Sequence, residues 1–592
     1  MDRLKKLSTL RSLIAEYRID YLVIPSNGPD ISDQVQEHWK IIKWLTGFTG
    51  SYAFVVVSQS FAGLWTDFRY YIQAEKQLAG SGFKLMLPEN FQSSDHAGWL
   101  SDNIKQGDTI GFDGRLVSVT DFRKIKNKFG NRSVRYVTDL DLFTTLWTDR
   151  PVMPESVVRD HSIKYAGKDR RQKLAEVREK MKKKSVDAHL LTSPEDIMWL
   201  LNIRGNDLEF NPVALSYFLL SERSAVLFAG IGKISEELLE EFAQLKIEIK
   251  NNNTLTEVLS SLKAVSSVLL SPDTTSTALY NSIPEHLIIV EDVSIPGRMK
   301  AVKNHIEIKN IEHVMIRDGI ALTKFFYWLE NNTGKMKMTE SSLAFKLREF
   351  RTEQPDYIGP SFRTISAYNA NAALPHYETD PVYSSIISGN GIFLIDSGAQ
   401  YHGGTTDITR TIIIGNPLPE QKRDFTLVLK GHIALASAKF PAGTKGYQLD
   451  ILARQYLWEA GLNYGHGTGH GVGFCLNVHE GPQSISPAAN CTSIEAGMLI
   501  SNEPAVYREG LYGIRTENLM ICYEDEETEF GKFLKFDTVS LCYIDRNLIE
   551  QDLLSRQETE WLNKYHEELY TKIAPYLESR EKAWLRLKTN PV

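Results

Sequence analysis

The first half of this 592-residue chain contains one ordered set of features twice. Residues 17–25 read YRIDYLVIP and residues 184–194 read KSVDAHLLTSP, and each segment has the pattern of a buried strand that enters a turn. Further on, WLTGFTG at 44–50 matches WLLNIRG at 199–205, and an apolar run follows each copy, at 52–57 and 214–220. Because four features recur in one order, we predict two related α/β domains rather than chance similarity.

The chain is longer than one hydrophobic core usually organises, and interruptions of its pattern predict where it divides. RPVMP at 150–154 and IPG at 295–297 are such interruptions. A long helix is predicted over 299–331, and glycine-punctuated strands at 392–395, 408–414, 498–500 and 519–523. The last fifty residues are predicted to form one or two amphipathic helices. We predict domains over 1–155, 156–297 and 298–540, and a helical extension over 541–592.

Charge and composition exclude several classes of function. The net charge of −7 argues against a protein that binds nucleic acid or an anionic membrane in general. The sequence has neither the apolar core of a secretory signal nor a run long enough to span a membrane. The four cysteines, Cys475, Cys491, Cys522 and Cys542, form no CxxC pair, which predicts buried, reduced thiols in a cytoplasmic protein.

Two aspartates lie in a predicted β-hairpin. Residues 391–411 read GIFLIDSGAQYHGGTTDITRT, with Asp396 after four apolar strand residues and Asp407 before the second strand. A hairpin that turns near residues 402–404 would bring both carboxylates to neighbouring strands. Carboxylates beside apolar strands need a positive partner. For either aspartate alone, a salt bridge, with Arg410 as the obvious partner, remains the simpler interpretation.

A glycine-rich segment carries two histidines. Residues 465–473 read GHGTGHGVG and contain His466 and His470. Histidines four residues apart often form a metal-binding helix face, but five glycines in nine residues favour a tight loop or a bulged strand. A phosphate-binding loop is the competing interpretation, although GxGxxG spacing and GK[ST] are both missing. His479, nine residues later, adds a third imidazole.

Two glutamates complete the set. Glu503 follows an apolar strand in LISNEP, and Glu517 lies in GIRTENLMI. Either glutamate alone fits a solvated or salt-bridged side chain. Four carboxylates and at least one histidine within one domain instead match the oxygen-rich ligands of a divalent metal site, and this ligand set suits manganese better than structural zinc. Two ions could share these carboxylates and activate one water.

The ordered motifs Asp-x10-Asp, GHGTGH, NEP and RTEN resemble those of the pita-bread metallopeptidases, the family of methionine aminopeptidase, prolidase, aminopeptidase P and creatinase. Within it, the chain is similar to the long, three-domain cytosolic Xaa-Pro aminopeptidases. The motifs WTDFRY at 65–70, NIRGND at 202–207, MKAVKN at 299–304 and LPHY at 374–377 extend the resemblance over nearly the whole chain. It implies an α/β (α+β) fold in which two creatinase-like N-terminal α/β domains precede a pita-bread catalytic domain.

The resemblance also implies roles for individual residues. Asp396 would bind one metal, His470 and Glu503 the other, and Asp407 and Glu517 would bridge the two ions. His376, His466 and His479 would bind substrate and handle protons, Glu503 would also shuttle a proton, and Arg69 would contact the substrate from the first domain. The implied cofactors are two divalent metal ions, and Mn²⁺ is the metal that we expect. The implied substrates are peptides with proline at the second position, and the implied assembly is a homodimer in the cytoplasm.

Three alternatives remain open at this point. A prolidase would hydrolyse only Xaa-Pro dipeptides, and a creatinase-type enzyme would hydrolyse an amidino compound. The duplicated N-terminal domain favours the aminopeptidase over both. A non-catalytic interaction module with this fold is expected to lack several metal ligands, whereas all five positions carry ligand-type residues here.

Overall fold

A computed structural model describes residues 2–32, 34–88, 95–262, 265–380 and 384–592 of the protein. The described residues form two compact units, one of residues up to 161 with 168–297 and the other of residues 162–167 with 298–592. Among the helices of this described part, none is both long and apolar enough to cross a membrane. The domain boundaries at 155, 297 and 540 stay predictions.

The first unit contains, over its described residues, two six-stranded sheets with the same strand order. The first sheet consists, in sheet order, of β4 (Lys84–Met86), β3 (Ala62–Trp65), β2 (Phe54–Val57), β1 (Tyr21–Pro25), β5 (Thr109–Gly111) and β6 (Arg135–Val137). The second consists of β12 (Ile247–Lys250), β11 (Ala225–Phe228), β10 (Tyr217–Ser221), β8 (Ala188–Leu191), β13 (Ser267–Leu270) and β14 (Ile288–Glu291). In each sheet the central strand, β1 or β8, pairs antiparallel with one neighbour and parallel with the other. The predicted duplication is confirmed.

Helices cover these sheets, and the sequence of the strands explains why. Alternate residues of β1 and β2 enter two separate cores, with Leu22 and Val55 in one and Val23 and Val56 in the other. A strand that is buried on both faces is apolar throughout, so YLVIP and FVVV do not alternate with polar residues. The helices of this part of the chain are α1 (Arg3–Glu16), α2 (Ile41–Thr46), α3 (Tyr71–Leu78), α4 (His96–Asn103), α5 (Val119–Lys128), α6 (Phe143–Leu146), α8 (Arg170–Lys183), α9 (Pro194–Leu201), α10 (Glu236–Gln244), α11 (Leu255–Ser260) and α12 (Thr277–Asn281). α13 (Ile295–Ala301) begins in this unit and continues past its last residue, 297. β7 (Arg159–Asp160) pairs with β9 (Ile203–Arg204).

The second unit is built from small antiparallel sheets and longer helices. Its strands are β15 (Tyr357–Pro360), β16 (Ile365–Tyr368), β17 (Gly391–Ser397), β18 (Ala399–Tyr401), β19 (Gly404–Thr405), β20 (Ile408–Ile414), β21 (Lys439–Pro441), β22 (Gly469–His470), β23 (Ser484–Ile485), β24 (Leu499–Asn502), β25 (Ala505–Arg508), β26 (Tyr512–Arg515), β27 (Asn518–Thr528) and β28 (Gly531–Thr538). Its helices are α7 (Ile163–Ala166), α14 (His305–Asn332), α15 (Glu340–Thr352), α16 (Pro419–Ala436), α17 (Gly446–Glu459), α18 (Arg556–Ile573) and α19 (Ser579–Lys588).

The hairpin of β17 and β20 lies between two layers of this unit. Phe393 and Ile395 pack in a core with residues of α14 and α15, whereas Ile392 and Ile413 pack in a second core with residues of α16. Burial on both faces explains why β17 is apolar up to Asp396. The strands predicted at 392–395, 408–414, 498–500 and 519–523 are all present, with bounds shifted by a few residues.

Two details differ from the predictions. The helix predicted over 299–331 begins only at His305, because Asn304 accepts hydrogen bonds from the first turn of α14 and Glu307 bonds back to the backbone of Asn304, a capping box. The cysteines form no disulfide within the described residues, but Cys491 is exposed rather than buried. The predicted C-terminal helices are present as α18 and α19.

Candidate metal centre

The two aspartates of the hairpin point into the second unit's interior. Asp396, in β17, lies opposite Ile365 of β16 and Thr409 of β20, and Asp407 comes directly before β20. Both side chains are buried. One oxygen of Asp396, Oδ1, is buried and accepts no hydrogen bond from the described residues. A buried carboxylate oxygen without a donor is available to bind a metal ion.

The glycine-rich segment brings His470 to the same place. A Cβ on Gly469 would lie 1.9 Å from the carbonyl oxygen of Ser501, so only glycine allows the backbone to approach β24 this closely. The backbone N–H of Glu503 donates to the carbonyl of Thr468 at 2.8 Å, which completes the contact between the two segments. The predicted loop or bulged strand is confirmed, since the segment contains only the two-residue strand β22 among its described elements.

Five acidic or imidazole groups meet around this contact. Ligand atoms of Asp407, His470 and Glu517 lie within 4.8 Å of one another. His470 Nε2 is 3.6 Å from Asp407 Oδ2 and 3.5 Å from Glu503 Oε1. Glu517 lies between β26 and β27 and is fully buried, and Asp396 reaches the cluster through the hydrogen bonds described below. The structure therefore brings together the residues at all five predicted ligand positions.

The electrostatics of the cluster are those of a site with more negative than positive charge. Burial raises the pKa of Asp407 well above its usual range, and the nearby carboxylates of Glu517, Asp396 and Glu503 raise it further. Burial likewise raises the pKa of Glu517 well above its usual range, with Glu503 and Asp396 contributing. In the protein alone, protons must compensate part of this negative charge. Divalent ions bound here would replace those protons.

Arg515 is the cation that the sequence analysis did not single out. Its guanidinium donates to Asp396 Oδ2 at 2.6 Å, to Thr409 Oγ1 at 3.0 Å and to the hydroxyl of Tyr507 at 2.8 Å. Thr409 Oγ1 in turn donates to Glu517 Oε2 at 2.7 Å. Two carboxylates of the cluster are thus held in position by one arginine and one threonine. Arg515 lies two residues before Glu517, at the end of β26, and this closeness in sequence was the available signal.

Arg410, the salt-bridge partner considered for either aspartate, is not one. In the hairpin register Arg410 lies opposite Ile395, and Asp396 lies opposite Thr409. Successive side chains point to opposite faces of a sheet, so Arg410 and Asp396 leave the hairpin on different faces. The guanidinium of Arg410 donates instead to the carbonyls of Glu517, Cys542 and Tyr543 and supports the cluster from behind.

Two of the predicted histidines, His466 and His479, lie beside the cluster, and His376 lies in a separate turn. The ring of His479 stands edge-on to the ring of His470, with centroids 4.5 Å apart. His466 Nε2 is 2.9 Å from the hydroxyl of Tyr507, which links this imidazole through Arg515 to Asp396. His376 is half-buried in the turn after the 3₁₀ segment Asn369–Ala373.

The loop of His479 is anchored by a buried ion cluster. Glu480 is buried and forms ion pairs of 2.8 Å with both Lys300 and Lys303, and all three side chains have at most 6% of their surface exposed. The backbone N–H of Glu480 donates to the carbonyl of Gly471 at 2.7 Å. The same residue therefore ties the segments that carry His470 and His479 to each other.

Arg69 lies in the first unit, in a short 3₁₀ turn that follows β3. Its guanidinium forms a two-pronged contact with Asp67, whose carboxylate also caps the turn. This pairing does not test the predicted contact with substrate, which stays a prediction.

Comparisons with known proteins agree with this arrangement. Residues 309–524 match the model of metallopeptidase family M24, and residues 532–592 match the C-terminal region of that family. Residues 6–142 and 149–307 each match a creatinase/prolidase N-terminal domain. The implied fold class, two creatinase-like domains before a pita-bread domain, is confirmed.

Relatives match over the full length. Aminopeptidase P2 of Arabidopsis thaliana is 36% identical over 99% of this chain and 88% of its own, and Xaa-Pro aminopeptidase 1 of Dictyostelium discoideum is 36% identical over 99% and 96%. A crystal structure of X-prolyl aminopeptidase from Caenorhabditis elegans, described as a cytosolic enzyme with a di-nuclear active site, superposes with a TM-score of 0.95 at 35% identity and covers 100% of both chains.

Proposed function

The chain belongs to the Xaa-Pro aminopeptidases of metallopeptidase family M24, and we propose that it removes the first residue of peptides whose second residue is proline. The observation that carries this proposal is the cluster of Asp407, His470 and Glu517, whose ligand atoms lie within 4.8 Å of one another beside a buried, unsatisfied oxygen of Asp396. Oxygen-rich clusters with one imidazole hold hard divalent ions, and Mn²⁺ is the ion that we propose.

Two ions would fit the five residues. We assign Asp396 to one ion, His470 and Glu503 to the other, and Asp407 and Glu517 to both. The orphaned oxygen of Asp396 and the raised pKa values of Asp407 and Glu517 support this assignment, because each is a property of a ligand without its metal. When bound, a metal pair supplies a water that is activated as a nucleophile near neutral pH.

The chain's own side chains would orient the substrate and move the protons. The Glu503 side chain is 19% exposed, so its carboxylate can accept a proton at the edge of the site and pass it to the leaving nitrogen. His376 and His479 are the groups that we assign to the carbonyl oxygen of the first residue, where an imidazole N–H stabilises developing negative charge. His466, held by Tyr507, is assigned to substrate binding.

Specificity for proline follows from the chemistry of the bond. An Xaa-Pro bond is a tertiary amide without an N–H, and its ring restricts the backbone. A peptidase that recognises the N–H of the residue after the scissile bond rejects this substrate, whereas a pocket of imidazoles and apolar walls accepts it.

We assign the contact from the first domain to Arg69. We also propose that the enzyme acts in the cytoplasm as a homodimer, in keeping with the resemblance.

One assay distinguishes the proposed activity from its neighbours. After chelation, the protein is assayed with Arg-Pro-Pro, an Arg-Pro dipeptide and creatine, with and without added Mn²⁺. We expect Mn²⁺-dependent cleavage of the tripeptide. Cleavage of the dipeptide alone would indicate a prolidase, and cleavage of creatine an amidinohydrolase. Failure to bind divalent metal in mass spectrometry of the native protein would indicate a non-catalytic module.

The role of Glu503 has its own test. Glu503→Gln retains the shape of the side chain but cannot accept the proton, so we expect turnover of Arg-Pro-Pro to fall by about 10²–10⁴-fold while the circular dichroism spectrum is unchanged. Unchanged hydrolysis would refute the assignment.

A further inference from the structure

Glu340 is a buried carboxylate that the proposed chemistry leaves unexplained. It is the first residue of α15, and its side chain is fully buried. Its position in the first turn of a helix favours negative charge, since the free N–H groups of that turn point toward it. A buried carboxylate is nevertheless costly unless hydrogen bonds satisfy both oxygens. The groups that satisfy Glu340 therefore show what it holds.

The donors to Glu340 come from the chain on both sides of His376, residues 368–380 and 384–385, which we call the His376 segment. Oε1 accepts from the backbone N–H of Tyr368 at 2.7 Å and from the side-chain amide of Asn371 at 3.0 Å. Oε2 accepts from the hydroxyl of Tyr377 at 2.9 Å and from the backbone N–H of Ser385 at 3.0 Å. All four donors are uncharged, and they bracket residue 376 on both sides. The side chain of Glu340 thus holds together residues that precede and follow His376.

The opposite side of the segment is held against the metal-bearing strands. A Cβ on Gly513 of β26 would lie 1.8 Å from the carbonyl oxygen of Ala372, so β26 and the 3₁₀ segment are in direct backbone contact. Asn369 accepts a hydrogen bond from the backbone N–H of Ile392 in β17 at 3.0 Å. β26 carries Arg515 and β17 carries Asp396. The segment is therefore clamped between these strands and Glu340.

Only a carboxylate suits this position. A carboxylate is purely an acceptor, and its two oxygens receive all four donors at once. A glutamine of the same shape would turn an NH₂ group toward donors on one side and lose at least one of these bonds. Tyr377 is the donor next in sequence to His376, and its ring also packs against the cluster of Ile365, Ala367 and Leu394 around β16 and β17.

We propose that Glu340, through the hydroxyl of Tyr377, is a positioning residue that fixes the imidazole of His376 against the substrate carbonyl. This inference rests on the proposed function, in which His376 stabilises the negative charge of the transition state. In this proposal, Glu340 and Tyr377 act on His376 and not on the substrate directly. Their effect on the rate passes through His376, because a misplacement of about 1 Å of a catalytic group costs about 10²-fold in rate.

The test is a double-mutant cycle on the full-length, Mn²⁺-loaded protein with Arg-Pro-Pro. Tyr377→Phe removes one hydroxyl and keeps the packed ring, and we expect kcat to fall about 10-fold or more with KM changed less than about 2-fold. His376→Ala should lower kcat by about 10²-fold or more. Introduced into His376→Ala, Tyr377→Phe should change kcat by less than about 2-fold, because groups that act as a unit are not additive.

The matched control is Tyr368→Phe. Its hydroxyl donates to the carbonyl of Ser388 at 2.8 Å and not to Glu340, although Tyr368 belongs to the same segment; its ring is buried, whereas that of Tyr377 is partly buried. We expect kcat of this variant to stay within about 2-fold of the wild type, since the lost hydrogen bond is of the same kind but holds a different group. Glu340→Gln provides a second variant, for which the same loss of kcat with unchanged metal content is expected.

Each result decides a different point. Full additivity of Tyr377→Phe and His376→Ala, or an equal effect of Tyr368→Phe, would overturn the positioning role and indicate general stabilisation of the segment. Unchanged kcat in Tyr377→Phe and Glu340→Gln alike would also overturn it. An active His376→Ala variant would instead refute the role of His376 in the proposed function. If Tyr377→Phe lowers kcat in the wild type but not in His376→Ala, and the metal content is retained, the inference is supported.

Discussion

Removal of one carboxylate from the metal centre should stabilise the metal-free protein, and this is the sharpest consequence of the site's geometry. Asp407 is buried, and burial and three neighbouring carboxylates raise its pKa well above the usual range. The change to test is Asp407→Asn, which retains the shape of the side chain. Without metal, the substitution removes repulsion. With metal, it would remove the ligand that we propose bridges the two ions. The sign of its effect on stability should therefore reverse when Mn²⁺ is added.

The magnitude follows from the distances. Asp407 and Glu517 place ligand oxygens within 4.8 Å of each other. Two full charges at this separation repel by about 3.5 kcal/mol at an effective dielectric constant of about 20. Partial protonation of the cluster reduces this value, so we expect Asp407→Asn to stabilise the metal-free protein by about 1–3 kcal/mol. For a unit of about 300 residues, that corresponds to a rise in Tm of roughly 2–5 °C.

With Mn²⁺ added, the wild type should become more stable than Asp407→Asn. An ion that binds only the folded state and is present at about 100 times its Kd contributes about 2.7 kcal/mol, which raises the Tm of the wild type by roughly 4 °C. Asp407→Asn should lose most of this shift, since it lacks a shared ligand. The assay is differential scanning calorimetry of chelator-treated protein at neutral pH, with and without Mn²⁺.

A matched substitution outside the site supplies the control. Asp424 is also buried, but Arg508 donates to both of its oxygens at 2.8 and 3.0 Å, and Tyr512 donates at 3.0 Å. Asp424→Asn should lower Tm in both conditions, because it breaks a paired charge, and should keep the shift on addition of Mn²⁺. A lower Tm for metal-free Asp407→Asn than for the metal-free wild type would refute the argument from repulsion.

Three further predictions concern other buried groups. Thr409→Val removes the hydroxyl that donates to Glu517, so we expect Mn²⁺ affinity, measured by titration of the chelated enzyme, to fall about 10–100-fold; an unchanged Kd would contradict the supporting role of Thr409. Glu480→Gln leaves two buried lysines without that carboxylate and should lower the unfolding free energy by about 3–5 kcal/mol. Lys303→Met leaves Glu480 paired with one lysine and should lower it less. If denaturant unfolding showed Lys303→Met to be the less stable variant, the ion cluster would not have the role described. Burial raises the pKa of Asp30 from 3.8 to about 7, so this group favours the folded state below about pH 4, and its contribution is lost as the pH rises toward 7. Asp30→Asn should therefore match the wild type near pH 4 and be more stable by up to about 4 kcal/mol at pH 8, and a gap that does not widen with pH in thermal unfolding would exclude this titration.

The proposed metal ligands illustrate how far residue types and their spacing can lead. Asp396, Asp407, Glu503 and Glu517 each had a salt-bridge interpretation, and only their order along the chain, together with the glycines around His470, favoured a shared site. The glycines were informative because five glycines in nine residues disfavour a helix in any tertiary context, whereas the need for glycine at 469, a close approach to Ser501, is visible only in the fold. The duplication of the first half was visible for a similar reason, since strands buried on both faces are apolar wherever they occur.

The partners of those ligands could not be read in the same way. Arg410 stands three residues from Asp407 in the sequence, yet the hairpin register turns it away from Asp396, and Arg515, 119 residues from Asp396, takes the position. The helix predicted from residue 299 starts too early, because apolar residues occur on both sides of Asn304. The capping box of Asn304 and Glu307 instead begins α14 at His305.

The amino-acid sequence alone therefore determined the ligand types, the glycine-rich segment and the repeated domain, since each depends on short-range chemistry or on periodicity within one element. Tertiary structure decided which cation neutralises Asp396, which hydroxyl supports Glu517 and which carboxylate holds the His376 segment. These pairings join strands and helices that are distant in sequence, and a register shift of a single residue would exchange every partner.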